Sequence, residues 1–501
     1  MVHQKPTVAT PSAAVSRMSA DWTLAAALLG GTRAMREAGK AYLPQWPKED
    51  PLAYAARLAT AVLFPAYSRT VNTLAAKPFS KPVQIGDDVP PQLVDWMEDV
   101  DCEGRNLHAF AADLMECAMG YGLCGILVDF PDSAEVPTTA AGVRTQADEA
   151  AAGLRPYWVH IKPHQIIGWR ASRVRGEWVI QQLRIKECVE EADGEWGAKE
   201  VEQIRVLEPG LWRTYREVKT APGTQWQPHK EGVTTLDFVP FVPVYGKRCG
   251  FMVGEPPLIE VAHLNVAHWQ SASDQQTLLH VARVPILTAV NVSDSNGPNG
   301  EIVRWEMTVG ASAAVRINGE NADLKYVEHS GAAIEAGAKD LETLEDRMRQ
   351  AGAELLVVGN GAAAKMTATQ VATENEVGMC ALQRIALALE DALDLALDYT
   401  ARWVNLGADA GGHVTLFSDF AVATLAEASA ELLLKANQAG KLSDESLYSE
   451  LQRRAIVAPD KSWDDERELL DAQGPTPGLL TPPAPSPSPT PDPEGQPTPG
   501  E

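Results

Sequence analysis

The sequence predicts an α+β protein in which long helices and a separate set of antiparallel strands share the chain. Apolar residues recur at spacings of three and four along three long runs between residues 256 and 406, which favours helices. Short runs between residues 158 and 244 alternate apolar and polar side chains, which is typical of an antiparallel sheet. The 501-residue length exceeds that of one simple core, so we expect two or more regions.

The N-terminal part of the chain predicts helices joined by proline-containing links. Residues 1–20 are polar and we expect them to be flexible. Asp21 is a candidate N-cap for the first helix. Pro65 is expected to kink the second helix, because proline lacks an amide hydrogen. The predicted helices cover 21–39, 51–76, 91–100 and 106–119.

A buried strand is predicted over residues 123–131, an almost wholly apolar run. Asp129 near its end has two interpretations, a catalytic carboxylate or a carboxylate that bonds to the following turn. The second is favoured, because no His, Lys or further carboxylate lies at a spacing that commits to a reaction.

A surface excursion over residues 132–154 and then an antiparallel meander over 158–244 are expected next. Within the meander, Leu183 and Ile185 alternate with polar residues, as do Ile204 and Val206, so each strand has one dry and one wet face. Residues 245–255 are rich enough in glycine to suggest a hinge that leads to the first long helix.

The three long helices are predicted over 256–281, 332–356 and 369–405. Pro256 and Pro257 suit a first helical turn. Short β-prone runs with turn residues between them fill residues 286–327, so the first two helices carry a small β module. In the third helix Leu382, Ile385 and Leu389 have core spacing.

The C-terminal part predicts a strand, three helices and a tail. The strand covers residues 413–420, and Ser443 is expected to cap the second helix. The tail is dominated by Pro, Thr, Ser and Gly, and we expect it to be disordered. The helices are placed at 425–438, 443–454 and 463–472.

Composition limits the function classes. The formal charge of −24, from 67 acidic and 43 basic residues, argues against a protein that grips nucleic acid or an anionic membrane with its whole surface. No apolar run is long enough to span a bilayer and no export signal is present, so we expect no membrane segment. Six scattered cysteines predict reduced, mostly buried thiols in an intracellular protein.

Motifs for catalysis or cofactor binding are absent, so we expect no enzyme activity and no cofactor or metal. The segment nearest to a phosphate-binding loop has Ala364 before Lys365 and Met366 after it, which does not fit that motif. His160 and His164 are weak metal candidates in a strand and loop. Three aspartates on one helix face suggest either a Mg²⁺ site or, as favoured, a solvated or inter-subunit acidic stripe, namely Asp391, Asp394 and Asp398.

Two stretches resemble the portal proteins of tailed bacteriophages, the head-to-tail connectors at one capsid vertex. The first contains Tyr42-Leu43-Pro44, the Tyr54 to Leu58 run, Thr70 to Leu74, Lys77-Pro78-Phe79 and, downstream, the 122–131 run. The second is the order helix, β module, helix, loop, helix over residues 256–406. The resemblance covers about residues 42–470 and rests on element order and diffuse patterns.

The resemblance implies a set of regions for the chain. These are a flexible N-terminus (1–20), a wing of helices and antiparallel strands (21–255), stem helix 1 (256–289), a clip (290–330), stem helix 2 (331–356), a tunnel loop (357–368), a long helix and return strand of the wing (369–424), a crown-like helical region (425–473) and a disordered Pro-rich tail (474–501).

The resemblance also implies a function. Portal proteins form closed rings, typically of about twelve subunits, through which double-stranded DNA is packaged and ejected. Terminase, head-tail adaptor and capsid proteins dock on the ring, which is part of the virion and is assembled in the host cytoplasm. The tunnel loop is then expected to face DNA through Gly359, Asn360, Gly361, Lys365 and Thr367. The alternative for these residues is an exposed hinge with a solvated lysine.

Two other classes remain open on the sequence. A virion structural or scaffold protein without a DNA channel would share this composition. An enzyme with an unrecognised site would need polar groups that converge in a pocket.

Overall fold

The computed structural model divides the chain into two compact units, Met1–Ala421 and Val422–Glu501, which are treated separately. Within them it describes residues 6–131, 152–220, 223–282, 286–296, 301–304, 321–327, 332–356, 379–418, 434–435, 437–453, 457 and 462–473. The predicted surface excursion over 132–154 and the C-terminal tail lie almost entirely outside these residues. No helix among them is long and apolar enough to cross a membrane.

Six helices form the N-terminal part of the first unit. They are α1 (Ala13–Leu29), α2 (Gly31–Ala38), α3 (Pro51–Thr60), α4 (Ala66–Ala75), α5 (Pro91–Trp96) and α6 (Leu107–Tyr121). The predicted 51–76 helix is therefore two helices, and the break falls at 61–65, where Pro65 lacks the amide hydrogen for a continuous helix.

The flexible segment expected over residues 1–20 contains the start of a helix with buried side chains, so the expectation is wrong for its described part, residues 6–20. Ser12, and not Asp21, is the N-cap of α1, and its hydroxyl accepts a hydrogen bond from Val15 N at 3.3 Å. Val15 and Met18 are buried one turn apart in the same core cluster as Trp22. Apolar packing therefore starts the helix eight residues earlier than the predicted cap.

Two sheets lie beyond the helices. The three-stranded sheet has the order β3-β2-β9, with β2 (Leu123–Asp129) buried at every position between β3 (Tyr157–Ile161) and β9 (Phe241–Tyr245). This confirms the predicted buried strand. The five-stranded meander consists of β4 (Ile166–Val174), β5 (Glu177–Asp193), β6 (Gly197–Glu208), β7 (Leu211–Thr220) and β8 (Gly223–Val233), all antiparallel to their neighbours.

The meander has apolar residues on both faces. Cross-strand partners share a face, and Ile204 pairs with Lys186, which neighbours Ile185 on β5. The apolar side chains Leu183 and Ile185 of β5 therefore lie on the opposite face from Ile204 and Val206 of β6. Ile204 belongs to a small cluster with Val8 of the N-terminal segment. Arg184 holds that segment in place by donating to Val8 O at 2.7 Å and Thr10 O at 2.9 Å.

A tight hairpin occupies the place predicted as a hinge. β10 (Lys247–Gly250) pairs with β11 (Val253–Glu255), and the intervening Met252 is fully buried. A Cβ on Gly254 would lie 2.1 Å from Gly122 O, so two backbone segments pass in close contact here. The entry to the next helix is therefore fixed.

Two long helices follow, as predicted. They are α7 (Ile259–Ala282) and α8 (Ala332–Ala353), the latter extended by a 3₁₀ turn over Glu354–Leu356. Between them β12 (Ile286–Val290) pairs with β15 (Asp323–Val327), and β13 (Ser295–Asn296) with β14 (Ile302–Val303). The range 256–289 expected for stem helix 1 therefore includes most of strand β12, because α7 ends at Ala282 and the chain pairs with β15 from Ile286 onward.

The third long helix, α9 (Ala381–Trp403), begins later than predicted. Cys380 is its N-cap, with Gln383 completing a reciprocal cap, so residue 380 is not helical. Leu382, Ile385 and Leu389 are buried, as their spacing predicts. The predicted residues 369–378 lie outside the described part.

The return segment after α9 contains β16 (Val414–Thr415), which pairs with β1 (Gln84–Ile85). The predicted strand 413–420 is therefore present over two residues and pairs with β1. The second unit contains α10 (Asp444–Arg453), capped by Ser443 as predicted, and α11 (Trp463–Gln473). Tyr448 and Trp463 of these helices pack with ring centroids 5.4 Å apart.

Candidate functional site

The candidate functional feature is the pair formed by α7 and α8, which run antiparallel. His268 Nε2 lies 3.7 Å from Glu345 Oε1, and Gln275 Nε2 donates to Ile334 O at 2.9 Å. The residue number rises along α7 while it falls along α8 at these contacts, which defines the direction. A Cβ on Gly337 would lie 2.0 Å from Gln275 Oε1, so the two helices approach closely at this level.

The base of the pair is anchored in the main core. Asn265 is fully buried, donates to Phe64 O at 2.8 Å and accepts from Tyr67 N at 3.0 Å. Trp269 of α7 and Met348 of α8 belong to the same core cluster as the N-terminal helices. These polar and apolar contacts fix both helices to the first unit at one end.

Arg57 adds a charged contact at this base. Its guanidinium donates to both carboxylate oxygens of Glu49, at 2.8 and 2.9 Å, and to Pro44 O at 2.8 Å. It lies 3.7 Å from Asp274 of α7 and stacks over the Trp46 ring at 4.1 Å. Two of the segments on which the family resemblance rests are therefore tied to the first long helix.

The other end of the pair leaves the core. Among the described side chains of the two helices, none beyond Ser273 in α7 and none before Leu344 in α8 is buried. The distal halves contact each other and continue into the β12–β15 pair. We call the antiparallel pair of α7 and α8, with the small β12–β15 sheet at its distal end, the lever.

The charge on this lever is predominantly acidic. α7 contains Glu260 and Asp274 and no Lys or Arg, and α8 contains five acidic and three basic residues. Arg349 is already engaged with Asp346 at 2.6 Å and Glu345 at 3.0 Å. A polyanion beside these helices would meet net repulsion.

The predicted tunnel loop lies outside the described residues. Gly359, Asn360, Gly361, Lys365 and Thr367 all fall between the 3₁₀ turn at 356 and Met379, so their prediction stays open. Much of the predicted clip, 290–330, lies outside the described residues as well.

The predicted acidic stripe is not a solvated face. Asp394 Oδ1 accepts from Val414 N at 2.7 Å, and Asp398 Oδ1 accepts from Asp409 N at 2.5 Å. Glu390, one turn earlier, accepts from Leu416 N at 2.8 Å. Burial raises the pKa of both Glu390 and Asp394. By accepting backbone amide hydrogens of the return segment, these carboxylates hold it against α9, and of the four acidic residues only Asp391 is exposed.

Asp129 is structural, as favoured, but its partner is not local. It accepts from Phe130 N at 2.9 Å, which is the expected turn contact. Its two oxygens also accept from the Arg205 guanidinium at 2.5 and 2.8 Å. The carboxylate is thus fully engaged in joining two sheets.

Two cysteines and one histidine that are not closely spaced in the sequence lie together in the structure. The ligand atoms of Cys117, Cys124 and His160 all lie within 4.8 Å of one another. His164 lies in the turn that follows β3 and does not join them. The sequence alone does not reveal this group. His160 and Cys124 can be placed on the same face of the sheet only when the β2–β3 register is known. Three of the six cysteines are buried, Cys117, Cys124 and Cys380, so the expectation of mostly buried thiols holds for half of them.

A cavity of about 1080 Å³ lies between the meander, the β10–β11 hairpin and α9, and its lining includes Trp178, Phe251 and Tyr399. Arg402 in its wall lies 2.8 Å from Asp398 and over the Phe238 ring, so its charge is neutralised. Burial raises the pKa of Tyr399. Within the described part of the chain this wall holds no nucleophile paired with a base.

Comparison with known proteins gives a family match and a set of similar structures. A family model described as a domain of unknown function, DUF4055, matches residues 257–404, which span α7, α8 and α9. No curated protein matches the chain.

Similar solved structures come from gene transfer agent particles. The chain is 13% identical to a chain in the neck of an empty particle computed with C6 symmetry, with a TM-score of 0.38, and the match covers 78% of this chain and 90% of that one. A chain in the neck of a native particle computed with C12 symmetry is also 13% identical, with a TM-score of 0.38, and the match covers 84% of this chain and 98% of that one. A chain in the virion of a native particle is 13% identical, with a TM-score of 0.37, and the match covers 83% of this chain and 97% of that one.

Proposed function

We propose that this protein is the subunit of a portal ring at one vertex of a phage capsid, through which double-stranded DNA is packaged and ejected. The observation that carries the proposal is the antiparallel α7–α8 lever, anchored in the core at one end and carrying β12 and β15 at the other. This is the order of stem, clip and stem on which the sequence resemblance to portal proteins rests.

Ring formation accounts for the partly exposed distal halves of the two helices. Isolated helices of this length with little buried surface gain little from intrinsic propensity, so they need packing partners. Neighbouring copies in a closed cyclic assembly supply such partners at every position. Twelve copies are proposed, the usual number in the resembled family.

The acidic lever supports a role as a channel wall. DNA carries one phosphate charge per about 1.7 Å of duplex, so a basic wall would bind it tightly. An acidic wall repels phosphate and lets the duplex move. The partners of this proposal are terminase during packaging and head-tail adaptor and capsid proteins in the virion, with assembly in the host cytoplasm and no enzyme activity of the subunit itself.

The decisive experiment is imaging of the purified full-length protein by negative-stain and cryogenic electron microscopy, with mass determined by analytical ultracentrifugation. The expected result is annular particles with a central hole wide enough for a duplex, about 20 Å or more. A protein that stays monomeric at every salt and protein concentration tested would overturn the proposal. Compact closed oligomers without a hole would favour a scaffold protein.

The clip assignment is tested by replacing residues 290–330 with a short Gly-Ser linker. Rings are expected to form, because the helix bases are untouched, and binding of terminase is expected to be lost. A matched control shortens the exposed β5–β6 hairpin at residues 190–199 and keeps terminase binding. Retained terminase binding by the 290–330 variant removes the assignment.

The tunnel-loop assignment is tested at Lys365. The substitution Lys365→Glu is expected to reduce DNA packaging or retention while rings still assemble, because it places a negative charge beside the phosphates. Lys365→Arg keeps the charge and is the matched control, with packaging expected near the wild-type level. Equal packaging by all three proteins would favour the exposed-hinge alternative.

A further inference from the structure

A cluster of two cysteines and one histidine lies inside the first unit, apart from the α7–α8 lever. Cys117 is on α6, Cys124 on β2 and His160 on β3. The Sγ atoms of both cysteines and a ring nitrogen of His160 are all within 4.8 Å of one another. Three separate elements therefore meet at one point through side chains that bind metals.

The strand register places the three residues on one face. His160 pairs with Ile126 in the antiparallel β2–β3 ladder, and Cys124 lies two residues before Ile126. Cross-strand partners and residues two apart share a face of a sheet. This face packs against α6, where the Cys124 thiol donates to Leu114 O at 3.6 Å, one turn before Cys117.

The cluster is shielded and incompletely satisfied. Cys124 is fully buried and Cys117 is 9% exposed. His160 Nε2 is shielded from solvent and has no hydrogen-bond partner among the described residues. A buried imidazole nitrogen without a partner is uncommon, because leaving it unpaired costs about 1–3 kcal/mol.

We propose that Cys117, Cys124 and His160 form a binding site for a soft divalent metal ion of the zinc type. Two thiolates and one imidazole are a donor set that zinc takes, with a fourth position left for water. On binding, the thiol protons of Cys117 and Cys124 are released to solvent, and His160 Nε2 gains the partner that it lacks.

The distances agree with this assignment. Zinc–sulfur bonds of about 2.3 Å and zinc–nitrogen bonds of about 2.0–2.1 Å at a tetrahedral ion put the ligand atoms about 3.5–3.8 Å apart. The separations are within 4.8 Å and so exceed these values by about 1.0–1.3 Å at most, which small side-chain rotations close. The ion would tie α6, β2 and β3 together in the wing, a stabilising role that is independent of any DNA channel.

The test uses full-length protein in which the three exposed cysteines, Cys102, Cys188 and Cys249, are replaced by serine to remove adventitious thiol ligands. The reduced protein is stripped with a chelator and titrated with Co²⁺ and then Zn²⁺. The expected result is about one ion per chain, with the visible bands of a tetrahedral thiolate–cobalt centre, and a rise in Tm on addition of zinc.

Further substitutions identify the ligands. Cys117→Ser, Cys124→Ser or His160→Asn in this background is expected to abolish or strongly weaken the cobalt bands, whereas His164→Asn, a neighbouring histidine outside the cluster, keeps them. If a ligand variant fails to fold, the background protein still decides the question. Less than about a tenth of an ion per chain in it, or bands unchanged in a folded Cys117→Ser variant, overturns the proposal.

Discussion

Arg205 in the middle of β6 donates two hydrogen bonds to the carboxylate of Asp129 at the end of β2, 76 residues earlier, at 2.5 and 2.8 Å. The contact joins the five-stranded meander to the buried three-stranded sheet. Burial alone would lower the pKa of Arg205, but the charge of Asp129 raises it above its usual range. Glu187 Oε1, 3.6 Å from the same guanidinium, adds to this effect. The guanidinium is therefore charged and compensated within the fold.

We expect Asp129→Asn to lower the free energy of unfolding by about 3 kcal/mol or more, because it leaves the buried Arg205 charge with only Glu187 beside it. The double variant Asp129→Asn/Arg205→Met removes the stranded charge and is expected to be more stable than Asp129→Asn. Chemical denaturation of the single and double variants gives the coupling energy. Strictly additive effects would contradict the ion pair.

Gly122 is required by both its conformation and its surroundings. Its φ is +83°, and a Cβ there would lie 2.2 Å from the carbonyl carbon of Glu255. Gly104, with a φ of +93°, has open space around it and is a matched control. We expect Gly104→Ala to cost about 1–2 kcal/mol for the left-handed backbone. Gly122→Ala adds overpacking of about 1–3 kcal/mol.

These two glycine variants are compared by urea denaturation, with proteolysis of the β10–β11 hairpin as a local readout. Faster cleavage is expected in Gly122→Ala only, since the hairpin must move to admit the methyl group. Equal losses of stability in the two variants would show that the close approach to Glu255 does not matter.

Glu390 tests whether the carboxylates of α9 act as hydrogen-bond acceptors. Glu390→Gln keeps an acceptor for Leu416 N and removes a charge that burial disfavours, so stability at neutral pH is expected to be unchanged or higher. Glu390→Ala leaves that amide unpaired and is expected to cost about 1–3 kcal/mol. Asp391→Ala at the exposed neighbour is the control, within about 0.5 kcal/mol of wild type.

The raised pKa of Glu390 also predicts how the free energy of unfolding of wild type and Glu390→Gln changes with pH. The pKa of Glu390 is raised in the folded state, so the folded protein binds more protons than the unfolded chain just above the ordinary pKa of glutamate. Wild-type stability therefore falls as pH rises through that window, and Glu390→Gln lacks this contribution. Identical pH profiles for the two proteins would rule out the raised pKa.

Local patterns predicted the elements that depend on local chemistry. The apolar run at 123–129 became a buried strand, and Leu382, Ile385 and Leu389 became the core face of α9. The start of α1 was missed although Val15, Met18 and Trp22 have helical spacing, because the polar residues between them suggested a loose terminus.

Long-range partners were not predictable from the sequence. Asp394 and Asp398 look like a wet face on a helical wheel, and only the path of the return segment shows that Val414 and Asp409 supply the amides. The antiparallel register likewise decides that Cys124 and His160 face the same side. Such contacts join residues far apart in the chain, and no local periodicity encodes them.

His268 at the base of the α7–α8 pair is expected to make the stability of these two helices depend on pH. Its ring is buried against Phe64, with ring centroids 5.2 Å apart, and burial lowers its pKa below the ordinary value of about 6.5, although Glu345 opposes the shift. Below that ordinary value the unfolded chain binds the extra proton first, so stability is full above about pH 6.5 and is lost as pH falls.

In His268→Phe, which keeps an aromatic ring and cannot titrate, this loss is expected to disappear. The check is the free energy of unfolding of both proteins between about pH 5 and 8, with Glu345→Gln as a second variant. That substitution removes the opposing charge and is expected to steepen the loss, whereas a wild-type profile that coincides with that of His268→Phe would show that the imidazole does not titrate differently in the fold.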